Sequence, residues 1–196
     1  PQDYLDSFAA ITGAVQQARD AQPAFNPQDI VGIGIDTTGS TPLPVNRDGT
    51  PLAMLPEFRG NLAAMAWLWK DHTSYAEAAR ITETAARLRP KYLAKCGGTY
   101  SPEWFWSKIL HCQRTAPAVF AAAHSFVELC DYVPAVLTGE TRPDRIARGI
   151  CAAGHKALYC EEWGGLPDQE FLAAVHPALA PLRERLYARA LTSDQP

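Results

Sequence analysis

The sequence has few of the features that mark membrane proteins or nucleic-acid-binding proteins. Although 47% of its 196 residues are hydrophobic, no stretch approaches the roughly 20 consecutive apolar residues that span a bilayer. Its formal net charge is -3 and it has no run of basic residues, which argues against a surface for nucleic acid. Length and composition predict a globular protein of one domain, or of one and a half, with a substantial core.

The cysteines are too few and too irregularly spaced for a disulfide framework. The five cysteines form no CxxC pair, and no histidine lies near them at the spacing of a zinc site. An odd number of cysteines in this context is typical of reduced thiols in a cytosolic enzyme. The sequence therefore predicts a cytoplasmic protein with no structural metal.

Hydrophobic periodicity predicts an α/β fold. Apolar residues at spacings of three and four between positions 4 and 18 predict an amphipathic helix that ends near Gln22. The apolar run at residues 30–35 is rich in β-branched side chains and too short for a helix, which predicts a buried strand. A helix, a turn and a strand in this order are typical of an α/β domain.

Further elements are indicated by caps and turns. Asn61 is predicted to cap a helix that runs through Trp69, and residues 74–77 form a capping box that predicts the start of another helix. The Ser-Pro-Glu sequence at residues 101–103 predicts a third helix start. Residues 125–129 are predicted as a strand, Gly139 as a helix end, and residues 150–159 as extended or loop-like.

The segment at residues 36–41 (DTTGST) is the most informative for function. It places one carboxylate, four hydroxyls and a glycine at the carboxyl end of the predicted strand, where open α/β sheets build ligand sites. Hydroxyls both donate and accept hydrogen bonds, as a polyol substrate requires, and Gly39 leaves room for the sugar. The same residues are equally typical of a turn in which Asp36 and Ser40 only satisfy nearby backbone groups.

The glycines of this region do not form a nucleotide-binding motif. The spacing of Gly32, Gly34 and Gly39 does not match GxGxxG, because the position five residues after Gly32 is Thr37. The sequence also has no GxxxxGK[ST] loop. We therefore expect no nucleotide site at this predicted strand.

Two other side chains are candidate sugar ligands. Trp69 precedes three polar residues, and an indole ring can stack on a sugar face while its N–H donates a hydrogen bond. Lys156 follows small residues that leave its surroundings open. A tryptophan near a helix end is also typical of a core, and a lone lysine of a solvated surface, so the residues alone leave both alternatives open.

Six segments of the chain together carry a resemblance to a known enzyme family. They are VGIGIDTTGSTPLP (residues 31–44), LWKDHT (68–73), GGTYSPEWFWSKILH (97–111), ELCDYVPAVLTG (128–139), RGICAAGHKA (148–157) and WGGLP (163–167). In residues and order they resemble the FGGY family of ATP-dependent carbohydrate kinases. The segments GIGIDTTGSTP and AAGHK resemble most specifically the branch that phosphorylates L-ribulose.

The resemblance implies a fold and a domain assignment. The FGGY fold consists of two ribonuclease-H-like (actin-like) α/β domains, of which the first binds the sugar and the second binds ATP with Mg²⁺. Residues 1–196 are expected to be an internal fragment of the first, sugar-binding domain, since they start with neither methionine nor a signal peptide. The N-terminal strands, the aspartate that acts as general base and the ATP-binding domain are expected outside this fragment.

The resemblance also implies an activity. We expect the intact enzyme to transfer the γ-phosphate of ATP to the C5 hydroxyl of L-ribulose in arabinose breakdown. The fragment itself is expected to be inactive and to bind neither ATP nor Mg²⁺. Two alternatives remain open: a non-catalytic sugar-binding or interaction module on the same fold, and a kinase for a related polyol such as D-ribulose or ribitol.

Residue by residue, the resemblance implies that Gly39 approaches the sugar, Trp69 packs on it and Lys156 hydrogen-bonds to its oxygens. A second group of candidates is expected near the cleft: Asp36, Thr38, Ser40, Asp71, Tyr100 and Glu103. The expected partner is a small sugar, with no nucleic acid and no membrane. An exposed sheet edge at residues 30–35 is expected to cause either self-association or a shielding rearrangement of residues 1–28.

Overall fold

The computed structural model describes residues 2–195. Within this range the sheet has two strands: β1 (Pro42–Val45) pairs antiparallel with β2 (Ser125–Glu128). Pro42 lies opposite Glu128 and Val45 lies opposite Ser125. Every residue of both strands is buried, so the pair lies inside the molecule.

α-Helices form most of the remaining regular secondary structure. In chain order they are α1 (Gln2–Ala21), α2 (Tyr75–Leu88), α3 (Pro90–Ala94), α4 (Phe105–Thr115), α5 (Pro117–Ala122), α6 (Leu129–Thr138), α7 (Ile150–Ala157), α8 (Gln169–Val175) and α9 (Leu179–Arg183). No helix between residues 2 and 195 is both long and apolar enough to cross a membrane.

Helix α4 lies in the larger of two hydrophobic cores. Every residue from 105 to 110 is buried, the charged Lys108 included. The helix contacts α2, α5, α7 and β1, so it joins elements from distant parts of the chain. The smaller core surrounds the strand pair and consists of Leu43, Val45, Val127, Tyr132, Ala135 and Ile146.

The predicted strand at residues 30–35 is wrong. Residues 30–38 have no regular secondary structure, Val31 is fully exposed and Ile33 is 65% exposed. A strand forms only where a neighbour pairs with its backbone N–H and C=O groups, and no segment of the described chain pairs with this one. The preceding helix is confirmed as α1, but none of the residues whose burial is described in it is buried.

The predicted helix from Asn61 through Trp69 is also wrong beyond its first turn. The Asn61 side chain accepts a hydrogen bond from the N–H of Ala63 at 3.0 Å, as a cap should, but the 3₁₀ helix covers only Leu62–Ala64. The N–H of Trp67 donates to the carbonyl of Pro42 at 3.0 Å instead of to its own turn. This contact with β1 diverts the chain, so Trp69 lies in a non-helical segment.

Tertiary contacts also displace the predicted caps. Helix α2 begins where predicted, yet Ser74 Oγ donates to the carbonyl of Pro102, and Glu77 accepts from Arg114 at 2.6 Å. No capping box therefore forms. Helix α4 begins at Phe105, later than predicted, because Ser101 Oγ accepts from the N–H of Glu103 in a preceding turn.

Two predictions from the second half of the chain are confirmed and one is wrong. The strand beginning at Ser125 forms as β2, and Gly139 ends α6 with φ +78°, the left-handed conformation that glycine favours. Residues 150–159, predicted as extended or loop-like, instead form α7, which Gly154 interrupts with ψ −110°. Lys156 therefore projects from the last turn of a kinked helix.

Candidate functional site

The turn at residues 36–41 leads into β1 rather than following a strand. Ser40 has φ +63°, an unusual conformation for a residue other than glycine. The hydroxyls of Thr38 and Thr41 are hydrogen-bonded at 2.9 Å, and the N–H of Thr41 donates to Glu128 Oε2 at 2.7 Å. Ser40 is buried, whereas Asp36 is exposed. The structure thus anchors the end of the turn to β2 and leaves its beginning at the surface.

Gly39 and Lys156 lie in direct contact. A Cβ atom built on Gly39 would overlap with Lys156 Nζ and lie 3.6 Å from its Cε. Only a residue without a side chain leaves the ammonium group in this position. The structure therefore brings together two of the three residues that the sequence singled out, although they are far apart in the chain.

Buried aromatic residues hold the backbone that carries Lys156. The Tyr100 hydroxyl donates to the carbonyl of Lys156 and accepts from the N–H of Trp106 at 3.0 Å. The indole of Trp106 donates to the carbonyl of Ala157 at 2.8 Å. Tyr100 is only 2% exposed, so it supports the end of α7 and does not present its hydroxyl at the surface.

Trp69 is 44% exposed, and its backbone is held by a residue that our sequence interpretation missed. Lys108 Nζ donates to the carbonyls of Ser40 at 2.6 Å, Leu68 at 2.7 Å and Trp69 at 3.2 Å. One buried ammonium group therefore connects the turn after Gly39 with the segment of Trp69. The signal in the sequence was a lysine inside the apolar run of α4 (FWSKIL), where a surface residue is not expected.

Two of the candidate carboxylates already have partners among the described residues. Asp71 accepts from the N–H of Thr73 at 2.8 Å and from its hydroxyl at 2.7 Å. Burial raises the pKa of Asp71, but these hydrogen bonds outweigh it and leave the pKa below its ordinary value. Glu103 contacts the imidazole of His72. Both carboxylates lie close enough to Lys108 to act on its pKa.

Glu128 is a second residue that the sequence interpretation did not single out. It is 3% exposed, and its Oε1 has no hydrogen-bond partner among the described residues. Burial raises its pKa to about 7, while the charges of Lys156 and Lys108 act in the opposite direction. The site therefore combines two lysines with one buried carboxyl group around the turn at residues 36–41.

No metal centre is formed by the described side chains. Among residues 2–195, no three histidine, cysteine, aspartate or glutamate side chains cluster so that they could hold a metal ion. The five cysteines are free thiols. This arrangement offers a ligand hydrogen-bond donors, among them the Lys156 ammonium beside Gly39, and the exposed indole ring of Trp69.

Curated proteins are similar to the whole chain, although no protein-family model matches it. Over 196 residues the chain is 50% identical to a ribulokinase from Vibrio parahaemolyticus, of which it covers 34%. The chain is therefore similar to part of that ribulokinase. A ribulokinase from Shouchella clausii is 37% identical over 182 residues and is covered to 31%. The chain thus spans about a third of the length of the curated relatives it matches, and the resemblance drawn from its six segments is confirmed.

Solved structures share the fold of this chain. A xylulose kinase from Bifidobacterium adolescentis matches 83% of the chain with a TM-score of 0.62 and 13% identity, and is itself covered to 36%. A xyloylose kinase from Brucella ovis matches 96% with a TM-score of 0.62 and 21% identity, and is covered to 34%. At these identities the likeness shows the fold alone. The predicted fold class, α/β and part of a sugar kinase fold, is confirmed.

Proposed function

We propose that this chain forms the sugar-binding part of an ATP-dependent carbohydrate kinase that phosphorylates L-ribulose at its C5 hydroxyl. The observation that carries the proposal is the contact of Lys156 with Gly39, in a chain that is 50% identical to a ribulokinase. Phosphoryl transfer requires above all that the accepting hydroxyl is held in line with the phosphate. Binding and orienting the sugar is the part of that task which these residues can perform.

Each candidate residue has a specific task in this proposal. The Lys156 ammonium donates charge-assisted hydrogen bonds to sugar oxygens, and the half-exposed ring of Trp69 packs against the sugar. Gly39 keeps the space that the ammonium occupies. Asp36 and Thr38, which are exposed, contribute further polar groups at the surface of the turn.

The remaining candidates support the site from within. Ser40 and Tyr100 are buried and position Gly39 and Lys156. Asp71 and Glu103 order the segment around Trp69 through Thr73 and His72. In this proposal these four residues act on the sugar mainly by positioning Lys156, Gly39 and Trp69.

ATP, Mg²⁺ and the general base belong, in this proposal, to parts of the enzyme outside residues 1–196. The chain is accordingly proposed to be a piece of the first of two domains, and the enzyme to work in the cytoplasm in arabinose breakdown. A kinase assay of the full-length protein with L-ribulose, D-ribulose and ribitol tests the assignment. Preference for either of the other polyols would correct the substrate, and sugar binding without turnover would favour a non-catalytic module.

Replacing Gly39 with alanine is expected to raise the KM for ribulose about 10-fold, because the new methyl group displaces an ammonium that donates a charged hydrogen bond. The atom displaced is the end of a flexible side chain, so the fold should survive. The matched control is Gly32→Ala, where a Cβ meets no atom within 4 Å. Circular dichroism checks folding, and equal KM values for the two variants would place the sugar elsewhere.

Residues 30–35 are proposed to associate with a second copy of the chain. Apart from the N–H of Ile30, which donates to the carbonyl of Pro27 at 3.3 Å, their backbone groups pair with no described segment. Val31 and Ile33 also expose apolar surface, a combination that recruits other strands. We expect light scattering of the isolated chain to rise with concentration, and Val31→Lys to suppress the rise. Leu62→Lys, at another exposed apolar residue, is the control. If both variants behave alike, association does not involve this segment.

A further inference from the structure

Lys108 is the most deeply buried ammonium group near the candidate site. It lies in α4 and is 1% exposed, in a stretch of the helix whose Trp106 and Ile109 belong to the larger core. Its three donor hydrogens match the three carbonyl groups within 3.2 Å, those of Ser40, Leu68 and Trp69. No donor is left for a ligand.

A buried lysine at this position loses its hydration, which destabilises the fold unless its hydrogen bonds have a function. Burial lowers its pKa to about 8, since desolvation disfavours the charged form, while Glu128, Asp71 and Glu103 raise the pKa and Lys156 lowers it. A leucine or methionine would fill the same space without that cost. What an apolar residue could not do is connect carbonyl groups of two separate segments.

Both connected segments carry residues proposed to bind the sugar. Ser40 follows Gly39 and has φ +63°, a conformation that surrounding contacts must maintain. The shortest of the three hydrogen bonds, at 2.6 Å, goes to the carbonyl of Ser40 itself. The other two fix the backbone of Leu68 and Trp69, whose side chains are exposed.

We infer that Lys108 is a positioning residue that sets the distance between the Gly39 turn and the Trp69 indole. The inference rests on the proposed function, because it assumes that these two elements bind the same sugar. Lys108 does not touch the sugar. It determines whether the ring of Trp69 and the ammonium of Lys156 face one ligand at once.

The test compares Lys108→Met with the wild type in the full-length kinase. The KM for ribulose should rise about 10-fold, because misplacing a positioning group by a fraction of an ångström weakens binding, while the KM for ATP stays within about 2-fold. Hydrogen exchange should accelerate at residues 39–41 and 68–70 without sugar. Lys95→Met, which removes an exposed lysine paired with Glu162, is the control.

A double-mutant cycle with Trp69→Ala separates positioning from general stability. If Lys108 acts through Trp69, the combined variant should lose less than the product of the two single losses. Independent losses, or an unchanged KM with normal exchange at both segments, would overturn the inference. A wild type that does not phosphorylate ribulose would instead overturn the proposed function, while the exchange experiment would still decide whether Lys108 holds the two segments.

Lys108→Gln, which retains two N–H donors, is used if Lys108→Met does not fold. It should give an intermediate KM and an intermediate exchange rate. If neither variant folds, Lys108 is required for the core as a whole and the positioning inference is rejected.

Discussion

Purified alone, the 196-residue chain is expected to transfer no phosphate from ATP to L-ribulose. The chain corresponds to about a third of the ribulokinases it matches, and the proposal assigns ATP and the general base to the other parts. Removing a general base by itself costs about 10²- to 10⁴-fold in rate. Removing the binding site of the second substrate as well should bring the rate to background.

We expect none of the carboxyl groups near the site to act as the general base. A general base must reach the proton it removes and must be free to accept it. Asp71 already accepts two hydrogen bonds from Thr73, and Glu103 contacts His72. Glu128 is buried and accepts from the N–H of Thr41, so it would have to leave the interior to reach a sugar.

A coupled assay of the isolated chain checks this expectation, with the Vibrio parahaemolyticus ribulokinase as the positive control. Calorimetry with ATP is the second measurement and should detect no binding. Turnover by the purified chain, confirmed after a second purification step to remove host kinases, would mean that the catalytic groups lie within these 196 residues.

Local sequence signals predicted the elements that depend on few long-range contacts. Gly139 ends α6 because a left-handed residue is needed there. Asp168 caps α8 by accepting from the N–H of Phe171, three residues later, at 2.8 Å. In such places the residue and its partner lie within one turn, so the pattern in the sequence contains the whole interaction.

Where partners are distant, the same kind of signal failed. Ser74 and Glu77 fit a capping box, but they bond to Pro102, His111 and Arg114. The β-branched run at residues 30–35 has the composition of a strand, yet strand formation needs a second segment that the described chain does not provide. In both places the local sequence favours a particular structure, a capping box or a strand. Contacts with distant residues, or the lack of them, determine which structure forms.

The candidate site shows the same difference between residues with local partners and residues with distant partners. Gly39, Trp69 and Lys156 were recognised through family resemblance. As single residues, Gly39 was equally typical of a turn, while Trp69 was more typical of a core and Lys156 of a solvated surface. Lys108 and Glu128 were missed because their roles consist of contacts across 68 and 87 residues of chain. A charged residue inside an apolar helical run was the one local hint, and it pointed to Lys108.

Replacing Lys156 with methionine in the full-length kinase is expected to lower kcat/KM for ribulose about 10- to 100-fold. A hydrogen bond from a charged group to a substrate oxygen contributes about 1.5 to 3 kcal/mol, which corresponds to this range. Methionine keeps the length and the apolar part of the side chain, so the change is confined to the charge and the donors. The KM for ATP should move far less, because the proposal places ATP elsewhere.

A control and a coupled variant make this prediction specific. Lys91→Met removes an exposed lysine that lies 5.6 Å from the ring of Trp163, and it should leave ribulose kinetics unchanged.

In a Lys156→Ala background, Gly39→Ala should lower kcat/KM for ribulose hardly at all, because the ammonium that it displaces is gone. If Lys156→Met leaves the ribulose dependence unchanged, or if Gly39→Ala costs as much without Lys156 as with it, the lysine is a surface residue. The contact between Gly39 and Lys156 would then serve packing alone.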